Sequence, residues 1–146
     1  MTSVVVDASV AVKWCLPVAN ESLVSQAEQM LHAHSRGELR FLVPDLFWAE
    51  LGNVLWKAVR IGRTSRSQAM SGLASIRNLN IPTSASVDLL QVGLEVAFAH
   101  GRTVYDSLYV ALAVQTGSVV ITADEKLANA LAAHLPVKWL GSFRHL

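Results

Sequence analysis

The sequence predicts an α/β domain with a central, mostly parallel sheet of about five strands. Short apolar runs alternate with longer helical stretches along the whole chain. Two of those runs, Val4-Val5-Val6 and Val119-Val120-Ile121, are β-branched at consecutive positions, as strands buried on both faces require. The chain has 146 residues, the length of one domain that buries on the order of 70% of its unfolded surface without a disulfide or structural metal.

Residues 4–6 are expected as the first strand, followed by a short helix over 8–14 that Pro17 stops. Asn20 is placed to cap a helix from about 21 to 35, ending near Gly37. Residues 40–43 form a second strand closed by Pro44, and a long helix runs from about 45 to 60 with Gly62 as its stop. Thr64 or Ser65 caps the next helix, through about 79, and 80–83 is a short extended piece across Pro82. Ser86 caps a helix to His100, and Thr103 begins another that ends at Gly117. Residues 119–122 are the third strand, Asp124 caps a helix to about 133, and 137–140 close the chain as a last short strand.

Composition narrows the function classes. With 52% hydrophobic and 16% charged residues, against about a quarter charged in typical domains, the chain is neither disordered nor a nucleic-acid tail. Its apolar excess predicts surface that another chain covers. Twelve Lys and Arg against eleven Asp and Glu leave a net charge of +1, so total charge identifies no partner. Its distribution is uneven: no acid lies between Leu51 and Val87, where Lys57, Arg60, Arg63, Arg66 and Arg77 form one basic stretch. Cys15 is the lone cysteine, which fits a reducing compartment. The amino terminus reaches Asp7 too soon for a signal peptide, and no apolar run approaches the ~18 residues of a membrane span, so a cytoplasmic protein off the membrane is expected. The histidines show no zinc-ligand spacing and are assigned no chemistry.

Four of the acids stand apart. Asp7 ends the first strand and Asp124 lies two residues beyond the third, on the strand edge where open parallel sheets keep their ligands. Aspartate is also a favoured N-cap, and a helix follows each, so both readings stay open. Asp106, three residues after Thr103, opens a helix that is apolar on every side, which puts it at the mouth of the core; Thr103 and Asp106 equally have the spacing of a capping box. Glu50 is mid-helix and cannot be a cap. It borders an apolar arc of roughly 200° that includes Trp48, Leu55 and Trp56, wider than one sheet contact needs. If the four converge, their like charges demand protons or a cation. Oxygen donors alone select Mg²⁺ or Mn²⁺, and such an ion activates water for attack on phosphorus. The basic stretch would then hold flanking phosphates.

Four blocks resemble the PIN-domain ribonucleases, and above all the toxin half of VapBC toxin–antitoxin pairs. They are Val4-Val5-Val6-Asp7-Ala8-Ser9, Pro44-Asp45-Leu46-Phe47-Trp48-Ala49-Glu50, Val104-Tyr105-Asp106-Ser107-Leu108-Tyr109 and Thr122-Ala123-Asp124-Glu125-Lys126-Leu127, in family order and spanning nearly the whole chain. The resemblance implies a single three-layer α/β/α domain over residues 1–146 and a Mg²⁺- or Mn²⁺-dependent endoribonuclease. It implies that Asp7, Glu50, Asp106 and Asp124 hold the metal and orient the attacking water, with Ser9 and Thr122 as supporting hydroxyls. Arg102, and less specifically Arg60, Arg63 and Arg66, are candidate RNA contacts. The implied partners are an RNA substrate, a cognate VapB-type antitoxin laying a helix into an apolar groove, and a second copy of the chain. Two other classes remain open: a catalytically silent module that binds a protein or RNA, and a phosphatase with Asp7 as nucleophile, which Ser9 disfavours by standing where such enzymes carry a second acid.

Overall fold

A computed structural model describes residues 2–16 and 22–144. The elements are β1 (Thr2–Val6), α1 (Ala8–Cys15), α2 (Val24–Ser35), β2 (Leu39–Pro44), α3 (Leu46–Arg60), α4 (Arg66–Arg77), β3 (Thr83–Ser84), α5 (Ser86–His100), α6 (Val104–Thr116), β4 (Val119–Thr122), α7 (Glu125–Leu131) and β5 (Val137–Trp139), then a 3₁₀ turn at Leu140–Ser142. The five strands are all parallel, in the order β3-β2-β1-β4-β5, with helices on both faces in three α/β/α layers.

The strand order places the chemistry. From β1 the chain moves to one side, through β2 and β3, then returns to β4 on the other side of β1. The direction of winding reverses between β1 and β4, which opens a crevice beyond their carboxyl ends. Val5 and Val6 are fully buried in the central strand, and Val6 stands beside Ile121 in register. The next residues along both strands therefore emerge together at that crevice. Behind it lies α6, whose Ser107 to Ala113 are all buried, as its apolar sequence predicts.

Several boundaries depart from expectation for local reasons. The helix expected from residue 21 begins at Val24, after Leu23 in a left-handed conformation; its expected cap Asn20 lies outside the described residues. The extended piece expected at 80–83 pairs with β2 only at Thr83–Ser84, because Pro82 has no N–H and joins the sheet edge through its carbonyl, which accepts from Val43 N–H at 3.2 Å. Ser86 is not a cap. Its N–H and hydroxyl both donate to the Asp45 carboxylate, so α5 starts at Ser86 and is tied to the start of α3. The Ser65 expectation holds as a full capping box with Gln68. At the other end α7 stops at Leu131, and Leu140 turns out of the last strand into the 3₁₀ turn.

Gly72 lets α4 press against α1: a Cβ there would lie 2.9 Å from Cys15 Cβ and 3.0 Å from the Cys15 carbonyl oxygen. Part of that obstacle is backbone and cannot rotate away. Gly72→Ala is expected to lose about 1–2 kcal/mol, overpacking outweighing the gain in helix propensity, read as a lower urea midpoint with unchanged slope.

Candidate active site

Asp7 leaves β1 with its N–H bonded to the Ile121 carbonyl of β4 at 3.1 Å, so the backbone of the two strands fixes its position. It makes no side-chain cap on α1. Its Oδ2 instead accepts from the Ser9 hydroxyl at 2.6 Å and from the Thr122 hydroxyl at 2.8 Å. Both hydroxyls are held in turn by the turn after β4: Ser9 Oγ accepts from Ala123 N–H and Thr122 Oγ1 from Asp124 N–H, each at 3.0 Å. A hydroxyl donates one proton and accepts others, so each relays backbone order to one carboxylate oxygen. Alanine at either position breaks that relay.

Glu50 reaches the same crevice from the middle of α3. Its Oε1 accepts from the hydroxyl of buried Tyr109, on α6, at 2.5 Å. Asp106 lies in the first turn of α6, where Thr103 Oγ1 takes its N–H at 3.1 Å while its Oδ2 lies 3.6 Å from Arg102 Nη2. Asp124 is exposed and caps α7, its Oδ1 accepting from Leu127 N–H at 3.1 Å. The capping reading is thus realised at Asp124 and set aside at Asp7.

Burial pushes the Asp7 carboxyl above the ordinary range, and the Asp106 charge adds to it, while the two hydroxyls work the other way. Burial raises Glu50 as well; Tyr109 opposes this, and Asp7 and Asp106 reinforce it. For Asp106 burial is again the largest cause, opposed by Arg102 and reinforced by Asp124. Three carboxyls from three elements therefore feel one another's charge inside a site that resists charge. The donors are all oxygen, the set that a hard divalent cation takes. Among the described residues no three acidic, histidine or cysteine side chains yet stand close enough to hold a metal ion. Glu50 is tethered by Tyr109 and Asp106 by Arg102, so the cluster fits a cation in charge and chemistry but is not drawn into coordination.

A PIN domain family model matches residues 4–131, most of the chain and all four acids. The chain belongs to the PIN-domain family. It is 35% identical over 133 residues to ribonuclease VapC3 of Pyrobaculum aerophilum, covering 88% of this chain and 95% of the relative. The crystal structure of PAE2754 from the same organism superposes with a TM-score of 0.68 at 25% identity, over 97% of this chain and 85% of that one. The fold is also that of VapBC2 from Rickettsia felis, solved bound to a DNA fragment from their promoter: TM-score 0.63, 11% identity, 94% of this chain and 98% of that one.

In this PIN domain the expected basic contacts divide between two places. Arg102 is at the acids, with its Nε buried and without a hydrogen-bond partner. Arg60 instead lies over the Trp56 ring at 5.3 Å, and Arg66 borders a groove of about 290 Å³ between α3 and α4 lined by Leu55, Trp56, Val59, Met70 and Leu73; Arg63 is in the connection between those helices. The broad apolar arc of α3 splits accordingly. Leu55 is core, Trp48 is half-buried with its indole N–H on Thr83 Oγ1 at 3.0 Å, and Trp56 is 57% exposed at the groove.

Tyr109 is the residue the sequence reading overlooked. Residues 108–114 read there as uniformly apolar, but a phenol buried in such a helix needs a partner for its hydroxyl. Tyr109 stands three residues after Asp106, on the same helix face, and that spacing was the available signal.

A carboxyl whose pKa is raised by folding gives stability that is full below its unfolded pKa and lost as pH rises through the folded value. Ionised Asp7 therefore destabilises the metal-free protein at neutral pH. Asp7→Asn is expected to melt at a higher temperature than the wild type at pH 7 in EDTA, with the difference closing as pH falls toward the ordinary carboxyl value. Calorimetry at pH 7 and pH 4 checks both halves.

Proposed function

We propose that this PIN domain is a metal-dependent endoribonuclease acting as the toxin of a type II toxin–antitoxin pair. The observation that carries the reading is the mutual charge coupling of Asp7, Glu50 and Asp106 at the β1–β4 crevice, with the hydroxyl relay from Ser9 and Thr122 beneath Asp7. Asp7, Glu50 and Asp106 are the ligands in this reading, and Asp124, at the rim, shares in holding the ion or its water. When bound there, Mg²⁺ or Mn²⁺ would polarise a phosphate oxygen and lower the pKa of a water. The residues do the rest. Ser9 and Thr122 aim Asp7 and favour its charged form against burial, Tyr109 holds Glu50, and Arg102 leaves Asp106 for the phosphate as RNA enters, its bare Nε offering a second donor.

The partner reading rests on the α3–α4 groove. An apolar helix with acidic flanks fits it, because Arg66 edges the apolar floor and Arg60 lies over the ring of Trp56, which lines it. The VapC-type relative and the VapBC2 fold support an antitoxin as that helix's owner, and we assign Arg60, Arg63 and Arg66 to this side rather than to RNA. A second apolar surface, Val87, Leu90, Leu94 and Phe98 along α5, is exposed and suits a second copy of the chain. Among the described residues no helix is long and apolar enough to cross a membrane. Buried Cys15 suits the cytoplasm, where the substrate is.

The purified chain is expected to cut structured RNA with Mg²⁺ or Mn²⁺, and not with EDTA or as Asp7→Asn. Thr122→Val, which removes the relay but keeps the shape, should lose about 10–100-fold in rate. Equal cleavage under all conditions would remove the metal reading, and no cleavage by any form would favour a silent binding module.

A further inference from the structure

Beside the acids is a recess that the reaction as described does not use. It has a volume of about 250 Å³ and is lined by Leu46, Ala49, Glu50, Asn53 and Tyr105. The α3 residues are spaced i, i+3, i+4 and i+7, so they share one helix face. Tyr105 closes the other side from the first turn of α6, next in sequence to Asp106. The residue is 63% exposed, so it does little for the core. The recess is below the roughly 300–1,000 Å³ of pockets that enclose drug-sized ligands, which leaves room for one planar ring system.

Its chemistry is selective. Leu46 and Ala49 make an apolar floor, Tyr105 an aromatic wall, and exposed Asn53 brings an amide with both a donor and an acceptor. Glu50 adds a carboxyl, and no cation in the lining pairs with phosphate. A flat ligand with a π face and a hydrogen-bonding edge satisfies all of these, and a phosphate none. We propose that the recess is a base-binding subsite, in which one unpaired RNA base stacks on Tyr105 and presents its edge to Asn53, while its own phosphate lies toward Asp106 and Arg102. The proposal rests on the nuclease reading and extends it to substrate choice: a base can stack there only when its face is free, so the site takes loops and single strands, not duplex. Asn53 then sets which base is preferred.

The test separates the subsite from catalysis by measuring binding in the Asp7→Asn background, where RNA stays intact. Fluorescence anisotropy with a labelled single-stranded octaribonucleotide is compared for that protein and for the same protein carrying Tyr105→Ala, Tyr105→Phe or Asn53→Ala. Tyr105→Ala should weaken binding roughly fivefold or more, the scale of one lost base–aromatic stack. Tyr105→Phe should stay within about twofold, and Asn53→Ala should level the affinities of oligomers that differ at one base. A 2-aminopurine walked along the strand should be quenched at one position only, and that quenching should vanish with Tyr105→Ala. Unchanged affinity for Tyr105→Ala, with near-ultraviolet circular dichroism showing an intact fold, overturns the subsite. So does equal weakening of a duplex of the same sequence. If Tyr105→Ala leaves RNA binding untouched but releases a co-purifying antitoxin, the recess belongs to that protein partner and the proposal fails. Absence of cleavage by the wild-type chain would strike the nuclease reading alone, since the binding comparison is made without turnover.

Discussion

Everything at the crevice depends on a carboxylate placed where charge is unwelcome. Asp7 is buried at the end of the central strand, close enough to Asp106 and Glu50 to feel both. Left alone, such a group would be protonated or expelled. Here it is retained because the strand pairing fixes its backbone and two hydroxyls, Ser9 and Thr122, spend their protons on one of its oxygens. The arrangement is poorly suited to a resting structural role and well suited to a cation, which is why the metal reading follows from electrostatics as well as from family membership.

Helix α3 links the two functional surfaces. One face carries Glu50 into the crevice and, beside it, the recess with Ala49 and Asn53; the neighbouring stripe, with Leu55, Trp56 and Val59, borders the α3–α4 groove. Glu50 is in turn joined to α6 through Tyr109. A partner seated in the groove would thus touch the same rigid element that presents Glu50 to the crevice. The packing also explains the wide apolar arc of this helix, which serves core and groove together.

Much of this was legible in the sequence, and what was not has physical causes. The β-branched runs at Val4 to Val6 and Val119 to Ile121 announced a buried parallel sheet, and the sheet is parallel throughout. Asp7, Asp106 and Asp124 could be placed because strand ends and helix starts are marked locally. Whether each was a cap could not be read, since capping and ligation want the same residue at the same place; the tertiary contacts decide it, toward a cap at Asp124 and a buried acceptor at Asp7. Ser86 misled for a similar reason, its donors being taken by Asp45, which is 41 residues away. Tyr109 was hidden among apolar neighbours, and the placing of Arg66 at the groove depends on how α3 meets α4, which no local pattern reports.

The most direct test of a shared cation site is an anomalous difference map from a crystal of the full chain grown with Mn²⁺. The account requires one strong peak bounded by carboxylate oxygens of Asp7, Glu50 and Asp106, with Asp106 drawn away from Arg102, and no such peak in Asp7→Asn. A wild-type crystal without manganese between those three residues, or with manganese bound only elsewhere, would contradict it.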